Sequence, residues 1–219
     1  MCIILYKPID QNLPNESILQ KCFHKNPDGA GYMIPINNQV IIRKGFMTFE
    51  SLIEDLDFVF NHYNIDVVKT PIVIHFRITT QGGVKPTLTH PFPIANNYTD
   101  MRALTHNCDI ALAHNGVIHL TSSYNRNLDF NDTMTFIKDY ARLIIDNDLF
   151  FAKNKNKCQL LENLIDGSRL AIMNKYGYVK LIGNFIEKDG IYYSNDSIFY
   201  QPKQELRFRT FKKFWFEEE

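Results

Sequence analysis

A cysteine at position 2, directly after Met1, can do chemistry that an interior cysteine cannot. With Met1 removed, a step that the small size of Cys2 permits, the thiol and a free α-amine belong to one residue. An α-amine titrates at about 7.7–8.0 and a thiol at about 8.5, so near neutral pH the amine takes the thiol proton without a histidine partner. The same cysteine also fits the role of a small hydrophobe in a terminal strand, since free cysteines are commonly buried. Other groups invite chemistry less. His106, Cys108, His114 and His119 match no zinc-finger spacing and straddle a predicted strand whose side chains alternate in direction, so no metal is expected. Asp28-Gly29-Ala30-Gly31 lacks the Lys-Ser/Thr of a phosphate loop and leads into a strand, which makes it a tight turn. The basic, aromatic run Arg207 to Trp215 could stack on single-stranded nucleic acid, but Glu217-Glu218-Glu219 opposes phosphate, and a solvated edge strand is expected instead. Cys22, Cys108 and Cys158 are assigned to packing.

Further groups follow Met1-Cys2 in a set order. They are Asn26-Pro27-Asp28-Gly29-Ala30-Gly31, the run His75-Phe76-Arg77-Ile78-Thr79-Thr80-Gln81-Gly82, Thr89-His90-Pro91-Phe92, the run Ala113-His114-Asn115-Gly116-Val117-Ile118, and Asn131-Asp132-Thr133. Together they resemble the glutaminase domain of class II glutamine amidotransferases, members of the N-terminal nucleophile hydrolases. The resemblance runs by motif from Cys2 to about Asp132 and more loosely, by strand pattern, to Asp196. It implies an α+β fold, a four-layer αββα sandwich of two mainly antiparallel sheets with helices on the outer faces. It also implies that Cys2 attacks the side-chain amide of glutamine, that Asn115 and Gly116 stabilise the oxyanion, and that no cofactor takes part. Arg77, assisted by Thr80, would hold the α-carboxylate of the substrate, and Asp132 its α-ammonium.

These roles suit the residue types. An Asn-Gly pair at a strand end can turn a side-chain amide and a backbone N–H onto one point, and an Arg fork matches a carboxylate. Each also has a plainer reading. Asn-Gly is the strongest hairpin-turn signal, a lone Arg commonly pairs with a carboxylate at the core edge, and an Asp at a helix start is commonly an N-cap. The sequence departs from the family at Gln81, where many relatives carry His, at Ile78, where a larger aromatic is frequent, and at Thr89, where Asn often precedes His-Pro. The chain ends where fused relatives carry an acceptor domain, so a separate synthase or acceptor subunit is expected to use the ammonia. Alternatives are a hydrolase of another γ-glutamyl-type amide and a catalytically silent binding or regulatory module.

The elements that must position these residues are readable in outline. Cys2 to Tyr6 is a short apolar run that needs a sheet to order it. Pro14-Asn15 opens a helical pattern with Ile18, Leu19, Cys22 and Phe23 on one face. Tyr32 to Ile36 and Gln39 to Lys44 flank Asn37-Asn38 as a hairpin, and Thr48 caps a helix bearing Leu52, Ile53, Leu56, Val59 and Phe60. Pro71 to Phe76 and Ile110 to Ala113 read as buried strands separated by a long loop. Asp132 precedes a third helix, Cys158 to Ile165 forms a fourth, and Arg169 to Asn174, Val179 to Asn184 and Ile191 to Ser194 form a meander, with Arg207 to Phe211 as an added edge strand. Residues 1–219 are expected to be a single domain, with the motifs in 2–132 and the C-terminal strands at about 169–211.

Composition sets bounds on all of this. The 219 residues, 45% hydrophobic and 22% charged, support a sizeable core and exclude disorder. Lys plus Arg and Asp plus Glu stand at 24 each, so no electrostatic footprint for nucleic acid or an anionic membrane is expected. No segment has the roughly 18 apolar residues of a spanning helix, and the apolar run after Met1 is too short for a signal peptide, so a cytoplasmic protein is expected. Four scattered cysteines without a C-x-x-C pair make a disulfide framework unexpected.

Overall fold

The computed structural model describes residues 1–79, 83–122 and 129–199. Its strands form two sheets in which every pairing is antiparallel. The first joins β1 (Ile3–Lys7), β2 (Ala30–Ile36), β3 (Gln39–Phe46), β4 (Ile72–Phe76), β6 (Thr105–Cys108), β10 (Ile186–Lys188) and β11 (Ile191–Tyr193) in the order β10-β11-β1-β4-β2-β3-β6. The second has the order β5-β7-β8-β9, from β5 (Phe92–Pro93), β7 (Ile110–Asn115), β8 (Arg169–Asn174) and β9 (Val179–Ile182).

Alternation along the strands divides the apolar residues among three layers. Ile3 and Leu5 of β1 point outward and pack, with Tyr32 and Ile74, against α1 (Glu16–Lys25) and α2 (Phe49–His62) through Leu19, Phe23, Leu52, Leu56 and Val59. Ile4, between them, points the other way and joins Met33, Val40, Ile42 and Val73 against Ala111, Ala113, Ala171 and Met173 of the second sheet. On the far side Leu112, Leu170 and Ile172 meet Met134, Ile137 and Ala141 of the third helix and Leu161 of α7 (Lys155–Leu164). Helix, sheet, sheet and helix therefore stack as an αββα sandwich, the α+β architecture expected.

Local signals explain the element ends. Asn15, Thr48 and Asn154 each accept a backbone N–H from the first turn of α1, α2 and α7. Asn37 and Asn38 both take positive φ, 51° and 59°, and close the β2–β3 hairpin. Buried Lys7, at the end of β1, donates to the carbonyls of Val67, Val68 and Thr70, fixing the approach to β4.

Several boundaries differ from the sequence reading. α7 begins at Lys155 because Asn154 supplies the cap, ahead of the apolar stripe that starts at Cys158. β9 stops at Ile182 because Gly183, at φ 84°, turns the chain before Asn184. The long loop after β4 carries β5, α3 (Tyr98–Arg102) and β6, elements too short or too polar to announce themselves. The third helix follows the short α4 (His119–Ser122) and consists of α5 (Asp132–Phe136), a π-helical turn over Ile137–Ala141 and α6 (Arg142–Ile145). The expected edge strand Arg207 to Phe211 lies outside the described residues.

Candidate functional site

The start of β1, the ends of β4 and β7, and the start of β8 meet at Cys2. Pairing of β1 with β4 sets Ile3 against Phe76, so Cys2 falls beside the residues that follow β4. Its sulfur lies 3.4 Å from both the amide nitrogen and the carbonyl oxygen of Ile78. Burial raises the thiol pKa, opposed by the Ile78 N–H and the Arg77 charge. The Cys2 carbonyl accepts from Asn195 Nδ2 at 2.7 Å. Met1 is 68% exposed.

Asn115 ends β7 and is fully buried. Its side-chain nitrogen is 2.8 Å from Ser194 Oγ, and Oδ1 is buried without a partner. Gly116 follows at φ 139°, and a Cβ there would sit 2.2 Å from Ser168 Oγ. Only glycine fits this turn. Met1, Cys2, Asn115, Gly116, Ser168 and Arg169 line an open cleft of about 280 Å³.

On the other side of Cys2 lies a polar void of about 30 Å³, lined by Arg77, His90, His114, Gly116 and Asp132 among others. Arg77 is 4% exposed and donates from Nη1 to Gly83 O at 3.1 Å. Burial lowers its pKa, opposed by Cys2, Asp28 and Asp132. The loop carrying it is held by the Asp28-Gly29 turn: Arg77 N donates to Gly29 O at 2.8 Å, and Thr79 N to Asp28 Oδ2 at 2.7 Å. Asp132 is the first residue of α5, but its cap is Asn131, whose Oδ1 accepts from Met134 N at 2.9 Å. The Asp132 carboxylate takes Ile118 N–H on Oδ2 and Thr133 N–H on Oδ1, each at 2.9 Å.

Behind this void three histidines pack together. His75 and His90 rings are 4.3 Å apart, His75 Nε2 donates to His114 O at 3.0 Å, and the Thr133 hydroxyl joins His114 Nδ1 at 2.8 Å to His90 Nε2 at 3.1 Å. Burial pushes His75 down to about 3 and lowers His90 and His114 as well, so the imidazoles are neutral. Among the described residues no group of three His, Cys, Asp or Glu side chains is placed to hold a metal ion, and no helix is long and apolar enough to cross a membrane.

The structure thus brings Cys2, Arg77, Asn115, Gly116 and Asp132 to one place. Thr80 and Gln81 lie outside the described residues. Ile78 brackets the Cys2 sulfur with its backbone, and Thr89 lines neither space, its buried hydroxyl accepting from Gly45 N and donating to Pro86 O. Sequence reasoning missed Ser194, Asn195 and Ser168, single polar residues at strand ends with no spacing signal. No family model matches the chain, and no curated protein matches it.

Proposed function

We propose that the chain, once Met1 is removed, is a glutamine amidotransferase-type amidohydrolase that converts glutamine to glutamate and ammonia. The Cys2 sulfur attacks the side-chain amide carbon while its proton moves to the Cys2 α-amine. The oxyanion takes hydrogen bonds from the Asn115 amide and the Gly116 N–H, and the amine returns the proton to the departing nitrogen as ammonia leaves. Water then adds to the γ-glutamyl thioester with the amine as base, releasing glutamate and restoring the thiol.

The observation that carries this reading is the convergence of Cys2, Asn115 and Gly116 on one cleft. A thiol held high by burial needs a local base, and the freed amine of the same residue is the nearest candidate. Arg77 and Asp132 around the adjoining void add charges of both signs, which suit an amino acid zwitterion. One feature favours a second reading. The void is far smaller than a free glutamine, and both Asp132 oxygens already take backbone N–H groups, which suits a γ-glutamyl-type amide held mainly from the 280 Å³ side.

Intact mass after incubation with 6-diazo-5-oxo-norleucine, a glutamine-mimicking alkylator, tests the proposal. Loss of Met1 and one adduct on Cys2 are expected. A processed chain that resists the reagent but releases amine from γ-glutamyl anilides would establish the second reading. Retained Met1 with no adduct would overturn both and leave a binding or regulatory module.

A further inference from the structure

The Asn115 amide is held by a residue that also holds the nucleophile strand. Ser194, 1% exposed, follows β11, and its backbone N–H donates to Ile4 O at 2.9 Å while its hydroxyl oxygen accepts Ile4 N–H at 2.8 Å. The next residue, Asn195, donates to the Cys2 carbonyl. The same Ser194 oxygen is 2.8 Å from the Asn115 amide. One dipeptide therefore touches both the strand bearing the thiol and the side chain assigned to the oxyanion.

A serine hydroxyl has one proton to give and two lone pairs to fill. If Asn115 donated Nδ2 to Ser194, the hydroxyl would receive two N–H groups, and Asn115 Oδ1 would stay buried with no acceptor function used. In the opposite amide orientation Ser194 accepts from Ile4 and donates its own proton to Oδ1. Every group at the contact is then satisfied, and Nδ2, with its protons, takes the end of the amide that no protein group holds. We propose that Ser194 is a positioning residue: its hydroxyl fixes the amide of Asn115, which lines the cleft with Cys2, with oxygen on Ser194 and nitrogen at the end that no protein group holds, converting a side chain of either orientation into an oxyanion donor.

This inference rests on the amide-hydrolysis reading, and a double-mutant cycle separates the two. Glutamate release is measured for the processed wild type, Asn115→Ala, Ser194→Ala and the double variant, with thermal unfolding to verify folding. Asn115→Ala should lower kcat about 10²–10³-fold. Ser194→Ala should lower kcat roughly tenfold or more with KM little changed, because donation is disordered and not removed. In the Asn115→Ala background Ser194→Ala should cost nothing further in kcat, since its effect passes through Asn115. Equal losses in both backgrounds would overturn the positioning role and leave the hydrolase reading intact. A wild type that neither turns over glutamine nor is labelled would overturn both. Should Ser194→Ala fail to fold, the wild type decides by nuclear magnetic resonance: the Asn115 side-chain amide protons should shift on covalent labelling of Cys2, and unshifted protons would place them on Ser194 and end the proposal.

Discussion

The two spaces flanking Cys2 differ in kind. The cleft holding Asn115, Gly116 and Ser168 is open, about 280 Å³, and shaped by backbone: a strand end, a glycine at φ 139° and a serine pressed against it. The space holding Arg77, Asp132, His90 and His114 is about 30 Å³, and its side chains are mostly tied to one another or to backbone. The larger space has room for a reacting group, whereas a ligand in the smaller one must compete with the hydrogen bonds its polar groups already make. On the proposed reading, preorganised electrostatics and substrate recognition fall on two sides of one sulfur.

Perturbations should divide along the same line. The largest effect is expected from Cys2→Ala, which should lower glutamate release by at least about 10⁴-fold while leaving thermal unfolding unchanged. Residual release above that level in a purified variant would take the chemistry away from Cys2 and make the comparison meaningless. Gly116→Ala should be next, because a Cβ would strike Ser168 Oγ at 2.2 Å in a backbone conformation hostile to L residues. Strain and overpacking together should cost about 2–4 kcal/mol in urea unfolding. A near-neutral result would mean that the open side is not rigid.

On the closed side, Asp132→Ala should destabilise by about 1–3 kcal/mol, since the buried N–H groups of Ile118 and Thr133 lose their acceptor. It should also raise KM more than it lowers kcat. Loss confined to kcat would place Asp132 with the reacting atoms. A further change should come from pH. The folded-state pKa of His75 lies at about 3, and those of His90 and His114 lie below the ordinary value near 6.5. Each is therefore protonated more readily unfolded than folded, so its contribution is intact above pH 6.5 and declines below it, by about 1.4 kcal/mol per pH unit for His75. For His75 the loss continues to about pH 3. Urea midpoints that stay constant between pH 7 and 5 would show the histidines to be hydrated.

Much of the frame was legible because it rests on local rules. The caps Asn15 and Thr48, the Asn37-Asn38 turn, and the apolar runs of β4 and β7 each carry their own signal. The sheet order was not legible, since it depends on partners far apart in sequence, and neither were β5, α3 and β6, where two to five residues gain their form from neighbours. At the site, Cys2, Asn115, Gly116, Arg77 and Asp132 stood out by type and order. Their supports did not: Ser194 and Asn195 act through contacts made 79 to 193 residues away, and the Thr133 hydroxyl through two imidazoles. The cap of α5 was displaced by one residue for a related reason, because Asn131 and Asp132 are equally good caps in isolation and tertiary contacts choose between them.

The place of β1 in its sheet has a consequence for biosynthesis. β1 is flanked on one edge by β4 and on the other by β11, where Leu5 pairs with Tyr193. At 5–20 residues per second, roughly 10–40 s separate the synthesis of the two partners. During that interval β1 carries an unpaired, largely apolar edge, and nothing yet fastens the backbone of Cys2 or the amide of Asn115. On the proposed reading, the nascent chain spends most of its manufacture with its nucleophile in hand and no finished site around it, and the closing strand doubles as the step that arms the molecule.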